Sequence, residues 1–246
     1  MKRAGLTLVF YLALLWLGGM LLLGSLASLP LVVAPRRWRE PFMREMAGRT
    51  FQLFLWGCER GGVMETDLTA LDALKGARGL VIVANHPSMI DVFLVVSRLR
   101  QCICLMKSSL GSNVFLGIGA RLAGYIPNRH VEVMIRQATE VVARGEVLLI
   151  FPEGTRTERP PLDALKPGAA LIARRAKAPL QTVVIERRSE YLTKGWPIWR
   201  PPVFPMRVHA RLGPCLQPEA TVAATVDRLH AVLLHELTNS PAPLQG

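Results

Sequence analysis

The chain has 246 residues, half of them hydrophobic, and its 30 Lys and Arg against 18 Asp and Glu give a formal net charge of +12. This length allows one domain of ordinary size with an appendage. The positive charge predicts an anionic partner. Because only 7% of residues are aromatic and no common nucleic-acid-binding motif occurs, we expect a lipid or phosphorylated partner and no nucleic acid.

Residues 6–33 carry no charge and are flanked by basic residues on both sides. A helix of this length would extend about 42 Å, which exceeds the roughly 30 Å hydrocarbon core of a bilayer. We therefore predict a retained membrane anchor. A cleaved signal peptide is the alternative, although the apolar run is longer than such peptides usually have. Gly18, Gly19 and Pro30 also allow a re-entrant helical hairpin in place of a single span.

Residues 38–56 interleave large apolar side chains with arginines, which is typical of an amphipathic helix at a membrane interface. A helix packed on the protein core is the alternative. We predict three parts of the chain: an anchoring segment over residues 1–60, a catalytic domain over 61–240 and a flexible tail over 241–246.

From residue 79 onward, apolar strands alternate with helices. Strands are predicted at 79–84, 102–106, 147–151, 181–186 and 206–212, with a short extended piece at 125–126. Helices are predicted at 88–99, 112–122, 168–176 and 222–237, and a helical face recurs between 134 and 142. This order predicts an α/β fold with a mostly parallel sheet flanked by helices.

The sequence Asn85-His86-Pro87-Ser88-Met89-Ile90-Asp91 follows the first of these strands. In α/β proteins, reactive side chains occupy such strand-to-helix turns. A neutral imidazole can accept a proton at physiological pH, and a carboxylate that holds its tautomer makes it a better base. With His86 in the turn, Asp91 at the start of the helix can reach back to it. No nucleophilic Ser or Cys is placed for a triad, so we expect His86 to activate a substrate hydroxyl.

A second polar turn, Phe151-Pro152-Glu153-Gly154-Thr155-Arg156, follows the strand at 147–151. Gly154 permits backbone geometry that other residues avoid. The guanidinium of Arg156 can grip a phosphate or carboxylate at two points.

The His-x4-Asp and Phe-Pro-Glu-Gly-Thr-Arg sequences together resemble the first and third motifs of the glycerolipid acyltransferase family. Residues 124–129 resemble its second motif, with Arg129 at the matching position and Asn128 where Asp is usual, and Lys107 fits a lysine that precedes this region. Residues 178–183 resemble the fourth motif, except that Thr182 replaces its second proline. The sequence of residues 192–195 resembles that of bacterial members of the family found beside fatty-acid and polyene synthesis enzymes.

This resemblance implies acyl transfer from acyl-CoA or acyl carrier protein to the hydroxyl of a lysophosphatidate-type acceptor, at the cytoplasmic face of the inner membrane. It implies that His86 is the general base and that Asp91 supports it. The acceptor's phosphate would be held by Arg129, by the turn of Glu153, Gly154, Thr155 and Arg156, and by Lys107, with Glu153 orienting the arginines or the glycerol.

This chemistry calls for no metal and no cofactor beyond the acyl donor. The four cysteines have no metal-ligand spacing, and we expect them to be reduced and structural. Two other functions stay open at this point. One is a thioesterase that uses the same His-Asp pair with water, and the other is a non-catalytic lipid-binding protein. For an acyltransferase, the acceptor also stays open between a lysophosphatidate, another lysolipid and a specialised hydroxylated lipid.

Overall fold

The computed structural model describes residues 2–239; the flexible tail predicted at 241–246 lies outside them. Two long helices come first, α1 (Lys2–Ala27) and α2 (Arg36–Arg60), joined by a short 3-10 helix, Leu29–Val33. The remaining elements, in chain order, are β1 (Met64–Asp67), β2 (Leu80–Ala84), α3 (Asp91–Arg98), β3 (Ile103–Met106), α4 (Gly117–Leu122), β4 (Ile126–Pro127), α5 (Val131–Ala143), β5 (Val147–Ile150), α6 (Gly168–Ala176), β6 (Leu180–Arg187), β7 (Met206–Leu216) and α7 (Val222–Thr238).

The strands form one seven-stranded sheet in the order β1-β7-β6-β2-β5-β3-β4. Strands β6, β2, β5, β3 and β4 run parallel, while β7 is antiparallel to β6 and carries β1 parallel to itself. The predicted α/β class and mostly parallel sheet are therefore confirmed. The prediction missed β1, whose four residues lie in a stretch without a long alternating pattern.

Helices cover both faces of the sheet, which explains why β2 is buried along its whole length. One apolar cluster joins α1, α2 and α3 to the sheet, and the other joins α5, α6 and α7 to its opposite face. The first cluster contains Phe10 of α1 and Phe51 of α2 together with Val183 of β6. The core is therefore continuous across residue 60, the predicted boundary between anchor and catalytic domain.

Helix α2 packs one side on the core and leaves large side chains exposed on its other sides. Phe51, Phe54 and Leu55 are buried in the core, whereas Trp38 and Trp56 on other sides of the helix are 69% and 52% exposed. Helix α1 is long and apolar enough to cross a membrane between Arg3 and Ala27, and most of its surface is uncovered. This composition supports membrane association of the N-terminal segment.

Two helices begin later than predicted because side chains bind the backbone of the preceding turns. The Asp91 carboxylate accepts from the Ser88 N–H, so residues 87–90 form a turn and the helix starts at Asp91. Asn113 accepts from the N–H groups of Phe115 and Leu116, and α4 starts only at Gly117.

Thr182 lies inside the sheet and is fully buried. Its hydroxyl donates to the Pro214 carbonyl of β7 at 2.7 Å, beside the irregularity between Gln181 and Val183 in the β6–β7 ladder. The substitution that departs from the fourth family motif is therefore accommodated by strand pairing.

Candidate active site

All the predicted site residues lie at one edge of the sheet, where the parallel strands end. His86 follows β2 and the Glu153–Arg156 turn follows β5, the neighbouring strand, while Lys107 follows β3 and Arg129 follows β4. At about 4.8 Å per strand, β3 and β4 lie about 10 and 14 Å from β2. The three basic residues Lys107, Arg129 and Arg156 therefore follow strands on the same side of β2, and Arg156 follows the closest of these strands.

His86 and Asp91 are in direct contact, with 2.9 Å between Nδ1 and Oδ2. The same carboxylate oxygen accepts from the Ser88 backbone N–H at 2.7 Å. Since an ionised carboxylate only accepts hydrogen bonds, the Nδ1–H of His86 is the donor, and Nε2 is left with a free lone pair. The geometry that a proton-accepting imidazole requires is present.

The two members of this pair differ in exposure. The His86 side chain is 16% exposed, and its ring stacks on Phe151 with 4.2 Å between ring centroids, whereas the Asp91 side chain is 1% exposed. Burial raises the pKa of the Asp91 carboxyl, and the contacts with His86, Ser88 and Arg187 oppose that shift. The structure thus keeps an acid in an apolar site where its charge acts mainly on the imidazole.

Glu153 has a different contact from the one predicted for it. Its carboxylate is 3% exposed and accepts from the backbone N–H of His86 at 2.8 Å and from that of Asp163 at 3.1 Å. The Thr157 N–H donates in turn to the His86 carbonyl at 2.8 Å. Glu153 therefore binds the turn after β2 to the turn after β5, and the expectation that it orients the arginines is corrected.

Arg156 holds a third loop against the site. Its Nη1 donates to the carbonyls of Leu192 and Thr193, both at 2.9 Å. The same loop is fixed from the other side, where the Ser88 hydroxyl donates to the Tyr191 carbonyl at 2.8 Å. One nitrogen of the Arg156 guanidinium is thus committed to the protein.

Gly154 takes a left-handed conformation with φ of 72°, and a Cβ there would lie 2.6 Å from Lys166 Nζ. Thr155 is exposed at the tip of the turn. After the outer strands β3 and β4, the Oδ1 of Asn128 accepts a hydrogen bond from the Ser108 N–H at 2.9 Å. Lys107, the residue before Ser108, is exposed. Arg129, the residue after Asn128, is also exposed.

Sequence reasoning missed Arg187 as a site residue. It ends β6, on the other side of β2, in the row of Val183 and Ile185 that faces α3. Its charge favours ionised Asp91, and its Nε is buried without a hydrogen-bond partner. The alternation of β6 is the signal that would have placed it there.

No group of three or more His, Cys, Asp or Glu side chains between residues 2 and 239 is arranged to hold a metal ion. The four cysteines are free; Cys58, Cys102 and Cys104 are buried and Cys215 is exposed.

The fold and the site define a class of protein: an α/β protein with an imidazole hydrogen-bonded to a buried carboxylate at the carboxyl edge of its parallel strands. Residues 65–186 match the family model described as Acyltransferase. Over this segment, which is just under half of the chain, the protein is similar to the acyltransferase family.

Named relatives agree with this assignment. The chain is 28% identical over 182 residues to the putative 1-acyl-sn-glycerol-3-phosphate acyltransferase acl-1 of Caenorhabditis elegans, covering 70% of this chain and 66% of that protein. It is 30% identical over 125 residues to human 1-acyl-sn-glycerol-3-phosphate acyltransferase beta, covering 48% of this chain and 45% of that one. The chain thus spans between about half and two thirds of the length of these relatives.

A solved structure has the same fold over the whole chain. The crystal structure of the 1-acyl-sn-glycerophosphate (LPA) acyltransferase PlsC from Thermotoga maritima matches with a TM-score of 0.69, covering 100% of this chain and 99% of that one, at 20% sequence identity.

Replacing Glu153 with glutamine tests its bridging contacts. The amide oxygen can accept from only one of the two N–H groups, and the amide nitrogen then faces the other donor. We expect a loss of about 1–3 kcal/mol in the free energy of unfolding and a lower kcat because the His86 turn is no longer held. Denaturant unfolding and steady-state kinetics measure these effects. Glu158→Gln, in the same loop but half exposed, is the matched control; equal stability of both variants would contradict the bridging role.

Proposed function

We propose that this protein is a membrane-associated 1-acylglycerol-3-phosphate acyltransferase, which moves an acyl group from acyl-CoA or acyl carrier protein to a lysophosphatidate-type acceptor. The observation that carries the proposal is the His86–Asp91 contact at 2.9 Å, held by Glu153 of the third motif through the His86 N–H. The names of the relatives support the acceptor class.

In the proposed reaction, Nε2 of His86 takes the proton of the acceptor hydroxyl as its oxygen attacks the thioester carbonyl carbon. Asp91 stabilises the imidazolium that forms. When the tetrahedral intermediate collapses, the carbon–sulfur bond breaks and the imidazolium returns its proton to the departing thiolate. The products are the acylated lipid and the free thiol of the donor, and no resident metal or cofactor enters these steps.

In this proposal, positively charged side chains hold the acceptor phosphate. Arg156, Lys107 and Arg129 follow strands on the same side of β2, so the phosphate would lie on that side of His86. Arg156 keeps nitrogens beyond Nη1 for this purpose, and its neighbours Gly154 and Thr155 form the tip of the turn that the phosphate would meet.

Contacts of α1 support a hairpin in the membrane over a single crossing. The Tyr11 hydroxyl donates to the Trp199 carbonyl at 2.6 Å, and the Ser25 hydroxyl donates to the Phe115 carbonyl at 3.0 Å. These contacts are separated by about 20 Å along the helix, so α1 lies against the domain over most of its length. We propose that α1 enters the cytoplasmic half of the bilayer with the active site at that surface, where acyl-CoA and acyl carrier protein occur.

The function is tested with purified protein, labelled acyl-CoA or acyl carrier protein, and a panel of acceptors, with products identified by mass. We expect a diacyl product that depends on lysophosphatidate. Free fatty acid released at the same rate without any acceptor would identify a thioesterase instead. Absence of both products would indicate a lipid-binding protein without this activity.

A further inference from the structure

A second basic site lies at the opposite edge of the sheet from His86. A cavity of about 740 Å³ opens between the start of α2, the amino end of β4 and the end of α5. Arg144 and Glu146, which line it, directly precede β5, whereas the active-site turn follows the other end of that strand. The cavity is therefore separate from the His86–Asp91 pair.

Its lining is strongly basic. Five arginines line it without an ion pair to a carboxylate within 4.0 Å in the described part of the chain: Arg36, Arg37, Arg39, Arg121 and Arg144. A sixth, Arg44, is buried and already paired with Glu40 and Glu146, at 3.4 and 3.0 Å. Glu40 and Glu146 thus share the single charge of Arg44, and Glu140 also lines the cavity. Six arginines against three glutamates leave the lining with an excess of positive charge.

One buried polar atom in this lining lacks a partner. The Nε of Arg39 is shielded from solvent and makes no hydrogen bond in the described part of the chain. Buried polar groups are almost always hydrogen-bonded in folded proteins. The Arg39 guanidinium therefore has a donor left for a polar group that enters the cavity.

The rim of the cavity is apolar where the chain leaves α1. Val32 and Val33 precede Arg36 and are 54% and 91% exposed, and Trp38 after it is 69% exposed. A soluble phosphate has no apolar part that could contact such a rim. An amphiphile with a negatively charged head and apolar chains would place the head among the arginines and the chains along these side chains.

We propose that this cavity binds the headgroup of an anionic phospholipid, as a site separate from the His86–Asp91 pair. Its occupant holds the start of α2, α4 and α5 at the level of the bilayer surface. The lining includes residues 124–127, which directly precede Arg129, and shares no residue with the His86 turn.

The test compares binding of the full-length protein to vesicles of phosphatidylcholine alone and to vesicles that also contain phosphatidylglycerol. The apolar helix binds both kinds, so the readout is the ratio of the two affinities. We expect the double variant Arg121→Gln/Arg144→Gln to lower this ratio at least about tenfold, from the attraction that each arginine near an anionic surface contributes.

The matched control is Arg174→Gln/Arg175→Gln, which removes the same charge from exposed positions on α6 that do not line the cavity. This control should keep the ratio. An equal fall in both double variants would mean diffuse surface charge and would overturn the proposal. An unchanged ratio in the Arg121→Gln/Arg144→Gln variant would also overturn the proposal. In that case, protection of the two arginines by inorganic phosphate in the unmodified protein would assign the cavity to a soluble phosphate, and a higher KM for acyl carrier protein in the variant would assign it to that protein.

Discussion

Replacing His86 with alanine is expected to lower kcat by about 10²- to 10⁴-fold, the largest loss that we expect from any single substitution in this chain. The variant has no group in reach of the acceptor hydroxyl that can take its proton, because Asp91 is buried behind the ring and bonded to the Ser88 N–H. Binding of the acceptor should change little, since the cations assigned to its phosphate lie in other turns.

Single-turnover measurements with labelled donor, together with acceptor binding by titration, separate these two effects. His235→Ala, which removes an exposed histidine of α7, is the matched control and should retain full activity. A His86→Ala protein that keeps its melting temperature and turns over within tenfold of the unmodified protein would show that the imidazole is not the base.

Replacing Asp91 with asparagine is expected to have the second-largest effect on rate, a loss on the order of 10³-fold in kcat. The contacts with His86 and Ser88 both use Oδ2 of Asp91, so an amide oxygen placed there can keep both hydrogen bonds. What the amide cannot supply is the negative charge that stabilises the imidazolium during proton transfer.

Stability should change in the opposite direction from activity. Burial raises the pKa of the Asp91 carboxyl in the folded state, so its ionised form lowers stability at pH values above that pKa. We therefore expect Asp91→Asn to melt at or above the temperature of the unmodified protein at neutral pH. The difference should shrink as the pH falls and the carboxyl takes up its proton.

Thermal unfolding across pH and kinetics at neutral pH measure both effects. Asp227→Asn, at an exposed position on α7, is the control and should change neither. An Asp91→Asn protein that is clearly less stable at neutral pH would show that the carboxylate serves mainly to hold the fold. Full activity in this variant would contradict its role in supporting His86.

The motifs could be recognised in the sequence because each lies within a short stretch of chain. A buried strand followed by a polar turn places His86 at the end of β2 and Glu153 at the end of β5, and five residues of spacing let Asp91 reach back from its helix. Parallel strands then bring these turns to one edge. The site's location therefore follows from local patterns and the rule for parallel sheets.

Contacts between residues far apart in the chain could not be predicted in this way. Glu153 was expected to orient the arginines or the glycerol, yet its oxygens accept from the backbone of His86 and Asp163. Arg187 was not predicted as a site residue, and only the position of β6 beside β2 places its charge next to Asp91. Sequence alone does not say which strand is adjacent to which.

The amino-acid sequence by itself determined the α/β class, the apolar N-terminal helix, the acyltransferase motifs and the pairing of His86 with Asp91. Each of these depends on residue type and on spacing within a few turns or one strand. The tertiary structure alone decided that α2 packs its apolar side on α3, that Glu153 binds two turns together, and that arginines from α2, α4 and α5 surround one cavity. These contacts join residues far apart in the chain, and their choice is set by how apolar faces are buried together and not by any local pattern.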